Sequence, residues 1–221
     1  MKTEKLSDRA FGILEKMIVL GEIAPGSLVS EKHMMNVTGF GRTPVREAIQ
    51  RLARERMVEI HPQKGILVPS NSVEVQLELL EIRRELDPLA AKLSATRATE
   101  RQREEARQLA ASVMTKVLPE IESFAKFLRD AHELTVASTQ NEFLKAAMAP
   151  LQGRSRRFWF SHLTRPDEEM SKAASLHRRI LLAIADHDEA QAVETSNALV
   201  DYLVAFAFAT LPTRSPYYNP S

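Results

Sequence analysis

The stretch GRTPVREAIQRLARERMVEI, residues 41–60, predicts a helix with an apolar stripe on one side and cations on the other. Four apolar residues recur at the spacing of a single helix face: Val45, Ala48, Ile49 and Leu52. Pro44 falls in the first turn, where a missing N–H is tolerated. Either Gly41 or Thr43 then acts as the cap. The stripe must be buried, so the opposite side faces solvent or a partner.

That opposite side presents polar residues suited to a DNA groove: Thr43, Arg46, Gln50 and Arg54. An α-helix fits the major groove of B-DNA, and its N-terminal residues reach the base edges. The planar fork of arginine donates two parallel hydrogen bonds to guanine or to phosphate. Taken alone, the helix is equally explained as a solvated surface helix with ion pairs such as Glu47–Arg51.

Two shorter helices precede this one. Apolar residues within 11–20 fit an amphipathic helix that starts at Ser7 or Asp8. A second helix runs from about Ser30 to Gly39, with a serine cap and a glycine stop. The order is that of a helix-turn-helix unit whose last helix is the quoted one.

A β-hairpin follows the quoted helix. Two β-prone runs, 57–60 and 66–68, flank a turn rich in Pro and Gly. We expect Lys64 and Gly65 at its tip, close enough to approach a DNA backbone. Three helices and a hairpin in this order predict a winged helix-turn-helix and favour DNA binding over a solvated surface.

The rest of the chain has helical patterns separated by short breaks. After a linker near 69–72, helices are predicted at 73–97 (with a kink at Asp87–Pro88), 99–116, 119–138, 141–163, 167–186 and 188–209. Thr99, Asn141 and Asp188 are candidate caps or turns. The fold class is mainly α: a winged helix-turn-helix domain over residues 1–70 and an all-α helical bundle over residues 71–221.

Composition excludes several classes of protein. The 221 residues contain no cysteine, so disulfides, zinc–thiolate fingers and thiol nucleophiles are ruled out. Residues 1–70 hold 11 Lys and Arg against 8 Asp and Glu, within a net charge of +1 for the chain. This small excess agrees with a polyanion partner. No apolar run approaches the roughly 20 residues of a membrane span, and no signal peptide is seen, so we expect a cytoplasmic protein without membrane contact.

Three separated motifs resemble the DNA-binding domain of GntR-type transcription regulators: LGEIAPGSLVSEK, GRTPVREAIQRLARERMVEI and HPQKGILV. The resemblance covers about residues 8–70. It implies DNA contacts at Lys32, Arg42, Thr43 and Arg46 and at the wing tip around Lys64–Gly65. Gly41 stands where such proteins place Ser or Thr, which removes a helix cap and a phosphate contact.

The second part of the chain resembles the FadR/FCD type of helical ligand-binding domain through LLEIRRELDPLAAKLSA, HELTVASTQNEFL and LHRRILLAIADHDEAQA. That resemblance implies a divalent metal held by an Asp, a His one turn later and two further histidines. His132 and His177 match two of these positions, but Leu128 and Leu199 occupy the other two. Asp130 is two residues from His132 and points to another side of the helix. We therefore expect no metal cofactor.

A metal-free effector pocket is the expected alternative. The resemblance also implies that Arg83 faces the pocket, where it would suit a carboxylate beside His132 and His177. Two alternatives give these residues purely structural roles: the histidines are ordinary core residues, and Arg83 is a surface partner of Asp87. His162 and His187 have no partner at metal spacing.

These patterns together predict a dimeric transcription regulator. One winged-helix head reads only a few base pairs, so a homodimer on a pseudo-palindromic double-stranded DNA operator is expected. A small organic acid in the helical domain would control it. The alternative is a DNA-binding regulator or architectural protein with no small-molecule ligand. The sequence carries no Ser/His/Asp set, phosphate loop or paired carboxylates, so an enzyme is not expected.

Overall fold

The computed structural model describes residues 5–113 and 120–211. The end of the predicted helix 99–116, the start of the predicted helix 119–138 and the segment 212–221 fall outside these residues. The described chain begins with a small unit that we call the head: α1 Leu6–Val19, β1 Leu28–Val29, α2 Glu31–Thr38, α3 Arg42–Arg54, β2 Glu59–His61 and β3 Gly65–Leu67.

The predicted hairpin is the larger part of a three-stranded antiparallel sheet with the order β1-β3-β2. Ile60 on β2 pairs with Ile66 on β3, and Leu28 on β1 pairs with Leu67. The sequence predicted the hairpin but not β1, because a strand of two residues has no readable periodicity. The sheet is the wing of a winged helix-turn-helix, as predicted.

Local signals set the helix ends in the head. The Ser30 hydroxyl caps α2 by accepting from the His33 N–H at 3.1 Å, and Gly39 ends this helix with φ 70°. Gly41 is the N-cap of α3 and has no side chain to offer. The prediction that α1 starts at Ser7 or Asp8 is wrong by a residue or more. The helix starts at Leu6 after Lys5, without a side-chain cap.

The remaining helices form a second unit that we call the bundle: α4 Val73–Arg97, α5 Glu100–Ala111, α6 Ile121–Ser138, α7 Glu142–Ser161, α8 Pro166–Ala185 and α9 Glu189–Ala209. Thr99, Asn141 and Asp188 cap α5, α7 and α9 through their side chains, as predicted. α4 is continuous through Pro88. In the parts of the chain that the structure covers, every helix is too short or too polar to cross a membrane.

Head and bundle each have an apolar core, and α1 joins them. Leu14, Ile18 and Leu52 lie in the head core, whereas Phe124 and Phe158 lie in the bundle core. α1 packs on α6 and α7 of the bundle. At this boundary the Lys16 ammonium lies 2.8 Å from a Glu122 carboxylate oxygen. The head is therefore held against the bundle by polar as well as apolar contacts.

Candidate DNA-binding surface and bundle cavity

The N-terminal half of α3 is an exposed polar surface. Its apolar stripe, predicted from the sequence, is buried in the head core. Arg42, Thr43, Arg46 and Gln50 are exposed on the other side, and Lys32 is exposed on the neighbouring helix α2. These exposed side chains surround the first turns of α3, the part of such a helix that reaches base edges in DNA-binding proteins of this fold.

Glu31 on α2 orders two of these cations. Its carboxylate accepts from Arg46 Nε at 2.8 Å and lies 3.4 Å from Arg42 Nε. Both arginine side chains keep more than half of their surface exposed, 61% for Arg46 and 69% for Arg42. Ion pairs this exposed contribute little to stability. They orient the two guanidinium groups and leave more than half of each side chain accessible to solvent.

Arg51, on the same helix, has an internal role. Its guanidinium lies over the Phe11 ring of α1, 3.6 Å from the centroid, and its Nε donates to Glu55 at 3.0 Å. The Glu47–Arg51 pair considered from the sequence is replaced by this arrangement. The arginines of α3 are thus divided between an outer surface and the contact with α1.

The wing turn spans His61 to Lys64, with the Lys64 N–H donating to the His61 carbonyl at 3.1 Å. Pro62 and Gln63, with φ 63° at Gln63, give the turn its shape. Lys64 is exposed beside it. Gly65 lies in β3, one residue beyond the turn, and not at the tip as expected from the sequence.

Gly65 is required for a packing reason. Its φ is 130°, and a Cβ there would come within 2.8 Å of the Val29 carbonyl oxygen of β1. Gly41, by contrast, has open space around the position of a Cβ. The head therefore needs glycine at 65 but has room for a side chain at 41.

In the bundle, the two predicted histidines meet. His132 on α6 and His177 on α8 are both buried, and their Nε2 atoms are 3.2 Å apart. Arg156 Nη1 lies 2.9 Å from His132 Nδ1, and His177 Nδ1 lies 2.8 Å from the Ala173 carbonyl oxygen. The two positions that the resemblance matched to metal ligands therefore lie side by side in the bundle.

The neighbours of the pair decide where its protons lie. Arginine has no acceptor, so His132 Nδ1 accepts from Arg156 and the neutral His132 ring carries its proton on Nε2. A carbonyl only accepts, so His177 Nδ1 donates to Ala173 and leaves Nε2 free. His132 therefore donates from Nε2 to the Nε2 of His177, and both rings are neutral.

The electrostatics favour the same state. The pKa of His177 is lowered to about 4, mainly by burial. The hydrogen bond to the Ala173 carbonyl raises this pKa, whereas the charges of Arg83 and Arg156 lower it. Burial also holds the pKa of His132 well below its usual range, with smaller contributions from His177, Arg156 and Arg83. Neither imidazole is charged near neutral pH.

Arg83 is a buried residue, not the surface partner of Asp87 considered as an alternative. Only 2% of its side chain is exposed. Its Nε and Nη2 donate to Asp87 Oδ2 at 2.9 and 2.5 Å, and its Nη1 donates to the Ser155 hydroxyl at 2.8 Å. The Asp87 pairing was foreseen, but its burial within the bundle was not.

Two small pockets, which we call the two lobes of the bundle cavity, lie beside the histidine pair. The lobes have volumes of about 20 and 30 Å³, and Arg83, His132, His177 and Leu199 line both of them. Leu128 and Arg156 line the smaller lobe. Lobes of this size hold about one water molecule each. Arg83, His132 and His177, the three residues predicted for an effector pocket, therefore border the same two small spaces.

The residues present do not fit a divalent metal. Within residues 5–113 and 120–211, no three His, Asp or Glu side chains are grouped closely enough to hold an ion. Asp130 instead lies beside Lys126 and Arg129. His162 Nδ1 lies 2.9 Å from the Phe158 carbonyl, and His187 Nδ1 lies 2.5 Å from that of Ala95. The donor set therefore remains two imidazoles.

Sequence reasoning missed Arg156 and its head partner Glu15. The guanidinium Nη2 donates to Glu15 Oε1, across the boundary between bundle and head. A signal was available, because Glu15 falls on the apolar stripe of α1 with Phe11 and Ile18. A carboxylate on such a stripe is buried only when it is paired. The identity of its partner, 141 residues away, had no sequence signal.

A winged helix-turn-helix head joined to an all-helical bundle is the architecture of a DNA-binding transcription regulator. Residues 6–68 match the family described as bacterial regulatory proteins, gntR family, and residues 78–202 match the FCD domain. The chain belongs to the GntR family of transcription regulators, in the branch that carries an FCD domain. It is a regulator and not an enzyme.

Relatives and solved structures agree. The chain is 28% identical over 173 residues to the HTH-type transcriptional repressor RspR of Escherichia coli K12, covering 75% of this chain and 74% of RspR. The structure of E. coli McbR/YncC matches with a TM-score of 0.73 at 18% identity, over 94% of this chain and 99% of that one. A GntR regulator from Rhodococcus sp. RHA1 matches with a TM-score of 0.66 at 19% identity, over 92% and 98%. Both structural likenesses show the fold.

Proposed function

We propose that this regulator binds a pseudo-palindromic operator as a homodimer, with α3 of each head in the major groove. The observation that carries the proposal is the exposed set at the N-terminal half of α3, Thr43, Arg46 and Gln50. Arg46 and Gln50 have the donors and acceptors to read base edges. A homodimer doubles a reading surface that covers only a few base pairs.

Phosphate contacts are assigned to the cations around this set. Lys32 on α2, Arg42 at the start of α3 and Lys64 beside the wing turn are all exposed. Such contacts fix the register of a protein on DNA without reading sequence. Gly65 is left out of the proposed contacts, because its conformation is explained by the approach of Val29.

The test is selection of random double-stranded DNA fragments by the purified full-length protein, followed by sequencing. We expect an enriched inverted repeat whose half-sites are centred about one helical turn, or a multiple of it, apart. Footprinting of the enriched site should protect both halves together. Enrichment of no common sequence would contradict operator reading by this surface.

We place the dimer contact on α4. Ile82 and Leu89 are 53% and 44% exposed, and their seven-residue spacing puts them on one face of this helix. A two-fold contact presents the same patch from both copies, so one apolar stripe serves both sides. Sedimentation of the Ile82→Asp/Leu89→Asp variant should show a shift toward monomer. A variant that stays as associated as the native protein would contradict this placement.

The proposed effector is a small organic acid bound in the bundle cavity. Supporting this, Arg83 and Arg156 border a space whose other walls are largely apolar, an environment that favours a carboxylate held by guanidinium groups. The proposed site is metal-free, because Leu128 and Leu199 supply no donor atoms. A panel of mono- and dicarboxylic acids of two to six carbons should raise the melting temperature, and a native protein that none of them stabilises would contradict it.

A second candidate is a DNA-binding protein without a ligand. Its support is the small volume of the two lobes, about 20 and 30 Å³. Under this alternative the buried polar groups only specify the packing of the bundle. The acid panel separates the two: the alternative predicts no thermal shift and a DNA affinity that no acid changes.

A further inference from the structure

Arg156 connects the bundle cavity with the head. This arginine on α7 is buried, with 9% of its side chain exposed. Its Nη1 donates to His132 Nδ1 at 2.9 Å, and its Nη2 donates to Glu15 Oε1 of α1. It also lines the lobe that Leu128 borders. A single guanidinium therefore contacts a cavity histidine and a carboxylate of the DNA-binding head.

Glu15 depends on this contact. The residue is 4% exposed, on the buried side of α1. Its other cationic neighbour is Arg129, whose Nη1 is 3.7 Å from Oε2, beyond hydrogen-bond range. Removing one member of a buried ion pair leaves an uncompensated charge, which is strongly unfavourable. The pair with Arg156 thus fixes α1 against α7.

If α1 moved relative to the bundle, α3 would move with it. Arg51 of α3 lies over the Phe11 ring, and Leu14 and Ile18 share the head core with Leu52 of α3. Interlocked cores of this kind move as a unit because their packing leaves few voids. A shift of Glu15 relative to the bundle would therefore also shift the proposed DNA-reading surface on α3.

The two lobes must widen if an organic acid is to bind inside them. Each lobe has room for about one water molecule, and even a small dicarboxylate needs several times that volume. Arg156 is the lining residue that both carries a positive charge and has its anionic partner in the head. An incoming carboxylate that bonds to Arg156 competes with Glu15 for the same donors.

We propose that Arg156 is an effector-contacting residue and that Glu15 holds the place of the effector's carboxylate in the ligand-free protein. An anion in the cavity draws Arg156 away from Glu15 and loosens the head from the bundle. By reciprocity, the Glu15 pair weakens anion binding by the same factor. The inference rests on the proposed function in taking an organic acid as the natural competitor.

A carboxylate built into the cavity tests the competition without the natural effector. Leu128→Asp places one in the lobe that Arg156 lines, and Leu128→Asn is the uncharged control of equal size. Hydrogen exchange of the backbone amides of α1 is measured at pH 8 for both. We expect exchange to be at least about fivefold faster in Leu128→Asp, the lower end of typical coupling between sites.

Comparing Leu128→Asp with Leu128→Asn in a Glu15→Gln background shows whether faster exchange in α1 is caused by competition with Glu15. With no carboxylate on α1 to displace, Leu128→Asp and Leu128→Asn should then exchange alike. Equal exchange of the two in the native background, or a difference that persists with Glu15→Gln, would overturn the proposal. Leu199→Asp and Leu199→Asn provide a second pair if the first loses native circular dichroism.

Two further variants need no cavity substitution. Glu15→Gln alone should speed exchange in α1 more than Glu122→Gln, which breaks an exposed head–bundle ion pair that borders neither lobe of the cavity; the reverse order counts against the proposal. The acid panel reports separately on the effector. Suppose that no acid binds but Leu128→Asp exchanges faster than Leu128→Asn as expected. The proposal of an organic-acid effector is then wrong, and the coupling between Arg156 and Glu15 stands. If an acid binds but the Leu128 variants exchange alike, the coupling is wrong and the effector stands.

Discussion

His132 donates a hydrogen bond from Nε2 to the Nε2 of His177, 3.2 Å away. The direction is set from outside the pair, since Arg156 donates to His132 Nδ1 and His177 donates to the Ala173 carbonyl. A metal ligand must offer a lone pair, but the His132 Nε2 that faces His177 carries a proton. The contact with Arg156 therefore favours two histidines that hydrogen-bond to each other over two histidines that bind a metal ion.

We predict that the protein purified without added ions contains well under one equivalent of zinc, nickel or manganese. Leu128 and Leu199 supply no donors, and two guanidinium groups beside the pair disfavour a divalent cation. Elemental analysis of the native protein checks this. Stoichiometric, tightly held metal would contradict the interpretation of the two leucines.

Restoring ligands should create a metal site. Leu128→Asp with Leu199→His adds two donors facing the histidine pair, and zinc titration should then show binding. Adding Arg156→Gln should tighten it, because an amide oxygen can accept from His132 Nδ1 and free Nε2 for the ion. No binding in either variant would mean that the four positions do not converge on one point.

The histidine pair also predicts acid sensitivity. An unfolded imidazole titrates near 6.5, whereas the pKa of folded His177 is about 4. Between these values the unfolded chain binds the proton and the folded one does not, so stability is full above pH 6.5 and falls as pH drops toward 4. The limiting slope is about 1.4 kcal/mol per pH unit for each imidazole.

Denaturant unfolding between pH 7 and 5 measures this slope. His177→Gln should be less stable at pH 7 but should show a shallower loss of unfolding free energy on acidification. His61→Gln, on the exposed wing, is the control and should keep the native slope. Equal slopes for the native protein and His177→Gln would show that the buried pair is not the source.

Gly41→Ser should stabilise the head. Gly41 is the N-cap of α3, its φ of −70° suits any residue, and its Cβ position is open. A serine hydroxyl there can accept from a free N–H of the first turn, worth a few tenths of a kcal/mol over glycine. Thermal unfolding measures this, with Gly41→Ala as the control without a hydroxyl. A serine variant no more stable than the alanine variant would contradict the capping role.

Most of the fold could be predicted because its signals are local. The stripe of α3 and the side-chain caps at Ser30, Thr99, Asn141 and Asp188 each act within one helical turn. The start of α1 was misplaced because its N-cap residue, Lys5, makes no side-chain cap hydrogen bond. The cap-forming residues Ser7 and Asp8, which suggested a later start, lie inside the helix. β1 was missed because its two residues become a strand only by pairing with β3.

The site was predictable only where each residue carried its own signal. The exposed residues of α3 follow from the position of the buried stripe, and the convergence of His132 and His177 was implied by resemblance. The burial of Arg83 and the pairing of Arg156 with Glu15 depend on how separate helices pack. Such long-range contacts leave no periodicity in the sequence.

Salt should weaken DNA binding steeply, because the proposed phosphate contacts of Lys32, Arg42 and Lys64 release counterions. The slope of log affinity against log salt should change by about 0.9 for each phosphate that a variant no longer neutralises. Lys64→Ala should thus give a shallower slope than the native protein. Lys172→Ala, in the bundle, should not. A nearly flat native plot would argue against the proposed docking.

The affinity of Arg46→Ala for the selected operator tests the central claim most directly. Arg46 is exposed on α3, and its charge pairs only with the partly exposed Glu31 among the described residues, so the fold should persist with an unchanged circular dichroism spectrum. We predict a loss of about 1–3 kcal/mol per half-site, while Arg101→Ala on the bundle surface keeps native affinity. A folded Arg46→Ala dimer that binds the operator as tightly as the native protein would contradict DNA reading by α3.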